Sequence, residues 1–78
     1  MRFERVRSLR EYNDYTQTRM AEYLFIKQST YSDYESGKIN IPVEVFIKLA
    51  NYYGTSVDYL LGLTDEIVPY KRVKEKDA

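Results

Sequence analysis

Apolar residues recur at three- and four-residue spacing through residues 3–61, and no stretch alternates strictly between apolar and polar, so the pattern predicts helices and no strands. Over residues 3–13, Val6, Leu9 and Tyr12 or Asn13 share one face while Arg5, Arg7 and Glu11 lie on others, as in a surface helix with one buried stripe. Thr16 has the hydroxyl needed to cap a second helix over residues 17–24, whose apolar face is Met20, Ala21 and Leu24. A third helix is predicted over residues 28–36, with Tyr31 and Tyr34 facing the same way. Pro42 fits the first turn of a fourth, where its missing N–H costs nothing, and Phe46, Leu49, Ala50 and Tyr53 carry the stripe onward. Ser56 is placed to cap a fifth, over residues 57–61.

Gly37, Gly54 and Gly62 each fall directly after one of these segments, where helices commonly end in a left-handed residue, and no glycine interrupts a helix. Local signals and the global pattern therefore point to one architecture, an all-α bundle of five helices. Residues 64–78 carry one proline, eight charges and little apolar content, so a domain of residues 1–63 is expected to be followed by a flexible charged C-terminal tail.

Composition narrows the function. At 78 residues the chain suffices for one small domain burying about 60% of its unfolded surface. Hydrophobic residues at 44% and charged residues at 31% fit a globular protein. Cysteine and histidine are both absent, which removes disulfides, thiolate nucleophiles and the commonest metal ligands and acid/base groups. The acids Glu22, Asp33, Glu35, Glu44 and Asp58 are spread over several helices with no glycine-rich phosphate loop, so neither an enzyme nor a bound metal or cofactor is expected. No segment approaches the ~20 apolar residues of a membrane span, and the N-terminus lacks a signal-peptide core. A cytoplasmic protein is expected. Nine tyrosines and three phenylalanines must supply much of the packing.

Two short helices about three residues apart have the dimensions of a helix-turn-helix. Spacing alone leaves a plain helical bundle open. The residues go further: the runs YTQTRMAEYL, STYSDYESGK and IPVEVFIKLANYYGTSVDYLLGLTD resemble the lambdoid-repressor and Cro type of helix-turn-helix regulator, the xenobiotic-response-element family. The resemblance covers residues 6–65. It joins Thr16-Gln17 at the second helix start, Ala21 at the helix crossing, Tyr34-Glu35 before Gly37-Lys38, and the ending Ser56-Val57-Asp58-Tyr59-Leu60-Leu61-Gly62.

What the resemblance implies is a sequence-specific, double-stranded-DNA-binding regulator, a repressor, whose third helix enters the major groove by its N-terminal end. Gln28, Ser29 and Asp33 would then face base edges, with Ser29 equally able to touch a phosphate or to serve its own helix start. Gln28 suits adenine, because a carboxamide donates and accepts together, and Asp33 suits cytosine N4 or else stays in water. Gln17, as the family's backbone clamp, would meet phosphate together with Lys27, Ser36, Lys38 and Asn40; for each lysine the bland alternative is a solvated surface charge. By the same resemblance Arg10 and Glu35 form an ion pair inside the domain. Family members bind as dimers, and Tyr52, Tyr59 and Leu63 are the expected homodimer surface, with burial in the core the alternative for Tyr52 and Tyr59. Regulation is expected through concentration, dimerisation or a separate protein.

Three residues depart from the family pattern. Phe25 holds a turn position often occupied by Gly or Asn, so the turn either avoids a positive φ or tolerates strain. Lys27 stands where Ser or Thr caps the third helix, and Asp14 replaces a glycine after the first.

Charge tempers the DNA reading. Lys+Arg and Asp+Glu number twelve each and the pI is about 6.2. A protein-interaction module such as an antitoxin-like subunit is the alternative reading, favoured by this neutrality and by the tyrosines. If DNA is the partner, few phosphates are neutralised, and weak non-specific affinity is expected.

Overall fold

The computed structural model describes residues 2–69. Five helices follow one another, α1 (Glu4–Tyr12), α2 (Gln17–Leu24), α3 (Gln28–Ser36), α4 (Val43–Tyr53) and α5 (Val57–Leu61), and no strand occurs among the described residues. The fold is all-α. Phe3 and Asn13 flank α1 as its caps, and Tyr12 is 85% exposed, so the buried stripe of that helix stops at the half-buried Leu9. Pro42 likewise caps α4 from outside instead of opening its first turn. Thr16 and Ser56 cap α2 and α5 by accepting hydrogen bonds from the backbone N–H groups of Arg19 and Tyr59, at 3.0 Å each.

The core is built by the predicted stripes: Val6 from α1, Met20, Ala21 and Leu24 from α2, Tyr31 and Tyr34 from α3, Phe46, Leu49 and Ala50 from α4, and Leu60 from α5. Four of the remaining tyrosine rings form a second layer. Tyr52 lies within ring-contact distance of Tyr15, Tyr23 and Tyr53, with centroids 5.7, 4.3 and 5.5 Å apart. Arg19 closes this layer, its guanidinium 4.0 Å from the Tyr15 ring centroid and its Nε donating to the Tyr52 hydroxyl.

One device ends four of the helices. At Asp14, Phe25, Gly37 and Gly62 the chain turns left-handed, and the residue after each donates its N–H back five positions while the turning residue donates back three. These paired bonds form a Schellman motif and satisfy carbonyls that a helix end otherwise leaves open. At Gly37 a side chain is excluded twice, by φ of +82° and by the Arg2 backbone, which would lie 3.2 Å from an added Cβ. At Phe25 the turn is strained: φ is 58° and the ring is 90% exposed, so no packing offsets the strain. What this geometry gains is the next residue, since Ile26 then bonds to the Ala21 carbonyl and packs on the core.

The boundary expected after Leu63 falls inside a stretch that the bundle holds. Arg5 donates to the Thr64 carbonyl and pairs with Asp65 at 2.6 Å, and the buried Thr55 hydroxyl donates to the carbonyl of Ile67. The rest of the expected tail, residues 70–78, lies outside the described residues.

Replacing Phe25 by glycine should relieve roughly 1–2 kcal/mol of left-handed strain and forfeit part of it to the entropy of the unfolded chain. The expected net gain is about 0.5–1 kcal/mol, read as a thermal midpoint a few degrees higher; an unchanged or lower midpoint refutes it.

Candidate nucleic-acid interface

The candidate surface is assembled around the Glu35 carboxylate, which is 4% exposed. A carboxylate accepts about four hydrogen bonds, and here four donors reach it. Arg10 supplies two, Nε to Oε2 at 2.6 Å and Nη2 to Oε1 at 3.1 Å; Tyr31 gives its hydroxyl to Oε2 at 2.6 Å, and Gln17 its amide to Oε1 at 3.2 Å. The third corner of the Arg10 guanidinium donates to the Tyr15 carbonyl at 2.9 Å. One charge therefore joins α1, the turn after it, α2 and α3.

Burial alone would push the Glu35 carboxyl up, but the bonds from Arg10, Tyr31 and Gln17 outweigh it and hold the group below the ordinary carboxylate value. Tyr31 moves the other way, far above the tyrosine range, by burial first and then by its bond to Glu35. Its hydroxyl consequently remains a donor. Arg10 is raised, chiefly by the hydrogen bond to Glu35.

From this buried charge a line of carboxamides leads to the surface. Gln17 donates to Glu35 and accepts from Gln28 Nε2 at 3.1 Å. Gln28 and Ser29 are both exposed in the first turn of α3, and half-buried Asp33 lies one turn beyond Ser29. Lys27 caps that helix without a side-chain bond, so the first N–H groups of α3 keep no side-chain acceptor at the cap. Lys27 and Lys38 stand exposed at opposite ends of α3, and neither forms an ion pair with the described residues. Ser36 is also exposed and donates its hydroxyl to the Asp33 carbonyl, and Asn40 is exposed in the loop after α3.

Sequence patterns missed two parts of this arrangement. Periodicity places Tyr31 on the apolar face alone, although Tyr31 and Glu35 are four apart on one helix, a spacing that signals their contact. The second is the internal bonding of Gln17, expected at phosphate: its carboxamide bonds to Glu35 and Gln28 and keeps one amide hydrogen. The expected dimer residues fall in different surroundings. Tyr52 is half-buried in the tyrosine layer, Tyr59 is half-buried beneath the Arg5 guanidinium at 4.1 Å, and Leu63 is 73% exposed.

A short second helix, a three-residue turn and a third helix whose polar start is fixed by a buried ion pair define a helix-turn-helix protein. The helix-turn-helix family profile matches residues 6–60, and the chain belongs to that family. Among proteins of Bacillus subtilis (strain 168), it is 38% identical over 74 residues to the uncharacterized HTH-type transcriptional regulator YobD, covering 95% of this chain and 64% of that protein. It is 40% identical over 58 residues to the SPbeta prophage-derived uncharacterized HTH-type transcriptional regulator YonR, covering 74% of this chain and 54% of that one. It is 38% identical over 64 residues to the HTH-type transcriptional regulator ImmR, covering 82% and 50%. The chain thus spans between 50% and 64% of the length of these relatives. No solved structure matches it significantly. No described helix is long and apolar enough to cross a membrane, and no group of three or more acidic residues among the described ones is placed to hold a metal ion.

Two tyrosine hydroxyls test the network. Tyr31→Phe leaves the carboxylate one donor short and should cost about 1–3 kcal/mol. Tyr53 has a buried hydroxyl without a hydrogen-bond partner among the described residues, so Tyr53→Phe should be neutral or stabilising. Equal losses in urea unfolding would contradict both assignments.

The lowered Glu35 carboxyl also sets a pH dependence. An acid depressed in the folded state contributes stability that is complete above its unfolded pKa, about 4.3, and is lost as pH falls through the lower folded value. Urea midpoints should therefore drop below about pH 4.3, and part of that drop should vanish in Glu35→Gln. At neutral pH, Glu35→Ala should cost about 3–5 kcal/mol by leaving Arg10 unpaired.

Proposed function

We propose that the protein is a sequence-specific double-stranded-DNA-binding transcriptional regulator, a repressor acting as a homodimer in the cytoplasm, that docks α3 in the major groove. The observation that carries this reading is the exposed start of α3: Gln28 and Ser29 side by side, held by the Gln17 to Glu35 line, with free lysines at both ends of the helix. The names of the three relatives, all transcriptional regulators, support it. Gln28 reads a base edge, with Ser29 and Asp33 beside it, while Gln17, Lys27, Ser36, Lys38 and Asn40 meet phosphates. Gln17 reaches phosphate through its second amide hydrogen. Function is by binding, not catalysis.

The proposed dimer surface centres on Leu63 and Tyr59. Exposed Ile67 and Val68 follow in the stretch that Arg5 and Thr55 hold against the bundle, which extends the apolar area. Tyr52 contributes from the tyrosine layer. Control of the protein through a separate regulatory partner is part of the same proposal.

Selection from a random duplex pool should return a two-fold-related pair of half-sites. Gln28→Ala should then lose about 1–3 kcal/mol of discrimination at one base pair while binding to mismatched duplex stays unchanged. No duplex binding at low salt would overturn this reading in favour of a protein-interaction module.

A further inference from the structure

Beside the Gln17 to Gln28 line lies a polar cleft of about 240 Å³ that Gln17 and Ser36 share with Arg2, Arg7 and Ser32, three residues without a role so far. Its walls are Arg2 from the segment before α1, Arg7 from α1, Gln17 from the start of α2, and Ser32 and Ser36 from α3. The buried Glu35 lines it as well. Because Glu35 already receives four hydrogen bonds and the Arg10 charge, the groups left to the cleft are donors: two guanidinium groups, the second amide hydrogen of Gln17 and the Ser32 hydroxyl, the Ser36 hydroxyl being engaged by the Asp33 carbonyl. Ser32 and Ser36 are four apart on α3, and Gln28 is four before Ser32, so the cleft continues the row that begins at the proposed base reader. Ser32 makes no side-chain hydrogen bond among the described residues, and Arg2 is positioned by its backbone against Gly37.

We propose that this cleft is a phosphate-binding site for the DNA backbone, with Arg7 as its principal ligand and Arg2 and Ser32 assisting. The site rests on the DNA-binding reading and extends the contact surface onto α1. A phosphate offers only acceptors, which matches a wall of donors, and the planar guanidinium presents two parallel N–H groups to such an oxygen pair. The isolated protein occupies those donors weakly. Arg7 Nε bonds to Glu11 at 2.9 Å and Arg2 Nε lies 3.5 Å from Glu4, both pairs largely in solvent. The Arg7–Glu11 pair also has the less favourable order along a helix, with the base preceding the acid. Glu11 and Glu4 are therefore competitors that a backbone phosphate displaces, and binding exchanges an exposed ion pair for a phosphate contact.

The test is a salt series of duplex titrations with the full chain, using a short mixed-sequence duplex and the pool-selected one, for wild type, Arg7→Gln, Glu11→Gln and Lys48→Gln. Lys48 is an exposed α4 lysine outside the cleft and controls for loss of one positive charge. Arg7→Gln should weaken both duplexes by the same factor and flatten the slope of log affinity against log salt by about 0.9, the value for one phosphate contact. Glu11→Gln should tighten both duplexes, and Lys48→Gln should keep the wild-type slope. Arg7 and Glu11 are exposed, so unchanged circular dichroism and thermal midpoints are expected for their variants. Wild-type binding with an unaltered slope in Arg7→Gln overturns the cleft alone, as does a loss no greater than that of Lys48→Gln. Failure of wild type to bind either duplex overturns the DNA-binding reading and the cleft with it.

Discussion

A buried carboxylate needs a partner for every lone pair, and Glu35 imposes that requirement on the first half of this protein. Tyr31 donates from within α3 itself, while Arg10 donates from α1 and Gln17 from α2, and these two are usable at only one placement of their helices against α3. A hydrophobic contact between the same helices would tolerate sliding, because dispersion has little direction. The bidentate Arg10 fork does not, and its remaining corner also fixes the turn through the Tyr15 carbonyl. Burying such a pair gains little net stability over apolar packing, since desolvation offsets attraction. Its effect here is positional: the Arg10 fork ties α1 to α3, and the Gln17 bonds to Glu35 and from Gln28 tie the start of α2 to α3.

The chain reversals obey a second constraint that works with the first. A three-residue turn between α2 and α3 is short, and only a left-handed residue at Phe25 returns Ile26 to the core while satisfying the last carbonyls of α2. Glycine serves that purpose at Gly37, where the approach of Arg2 excludes any side chain as well. At Phe25 strain is accepted and the ring is left in water. Stability is thus spent locally to hold the start of α3, consistent with strained backbone residing where geometry matters most.

Much of this was legible in the residues. The five helices followed from three- and four-residue periodicity with glycine at their ends, because both are local properties that tertiary packing reinforced. Thr16 and Ser56 were readable as caps for the same reason. Less legible was anything that depends on two distant segments meeting. Arg5 reaches residues almost sixty positions away, and no pattern near Arg5 announces it. The held stretch 64–69 resembled a tail because its composition is polar, while its attachment depends on Thr55 and Arg5 side chains. The Phe25 turn left two conformations open from sequence, and only the position of Ile26 decides between them. Tyr31 shows the mixed case: its ring belongs to the core pattern and its hydroxyl to the carboxylate, and periodicity detects only the ring.

Net charge takes on a different meaning once the pairs are placed. Four described arginines, Arg2, Arg5, Arg7 and Arg10, each face a carboxylate, whereas Lys27 and Lys38 at the ends of α3 face none among the described residues. The four pairs are unequal. Arg10 is locked in the core and Arg5 holds the stretch after α5, so removing either partner costs structure. Arg2 and Arg7 are held by carboxylates on the exposed side of α1, and releasing them costs little beyond a screened surface attraction. Zero net charge therefore covers, among the described residues, structural arginines, arginines in exposed pairs, and lysines that face no carboxylate.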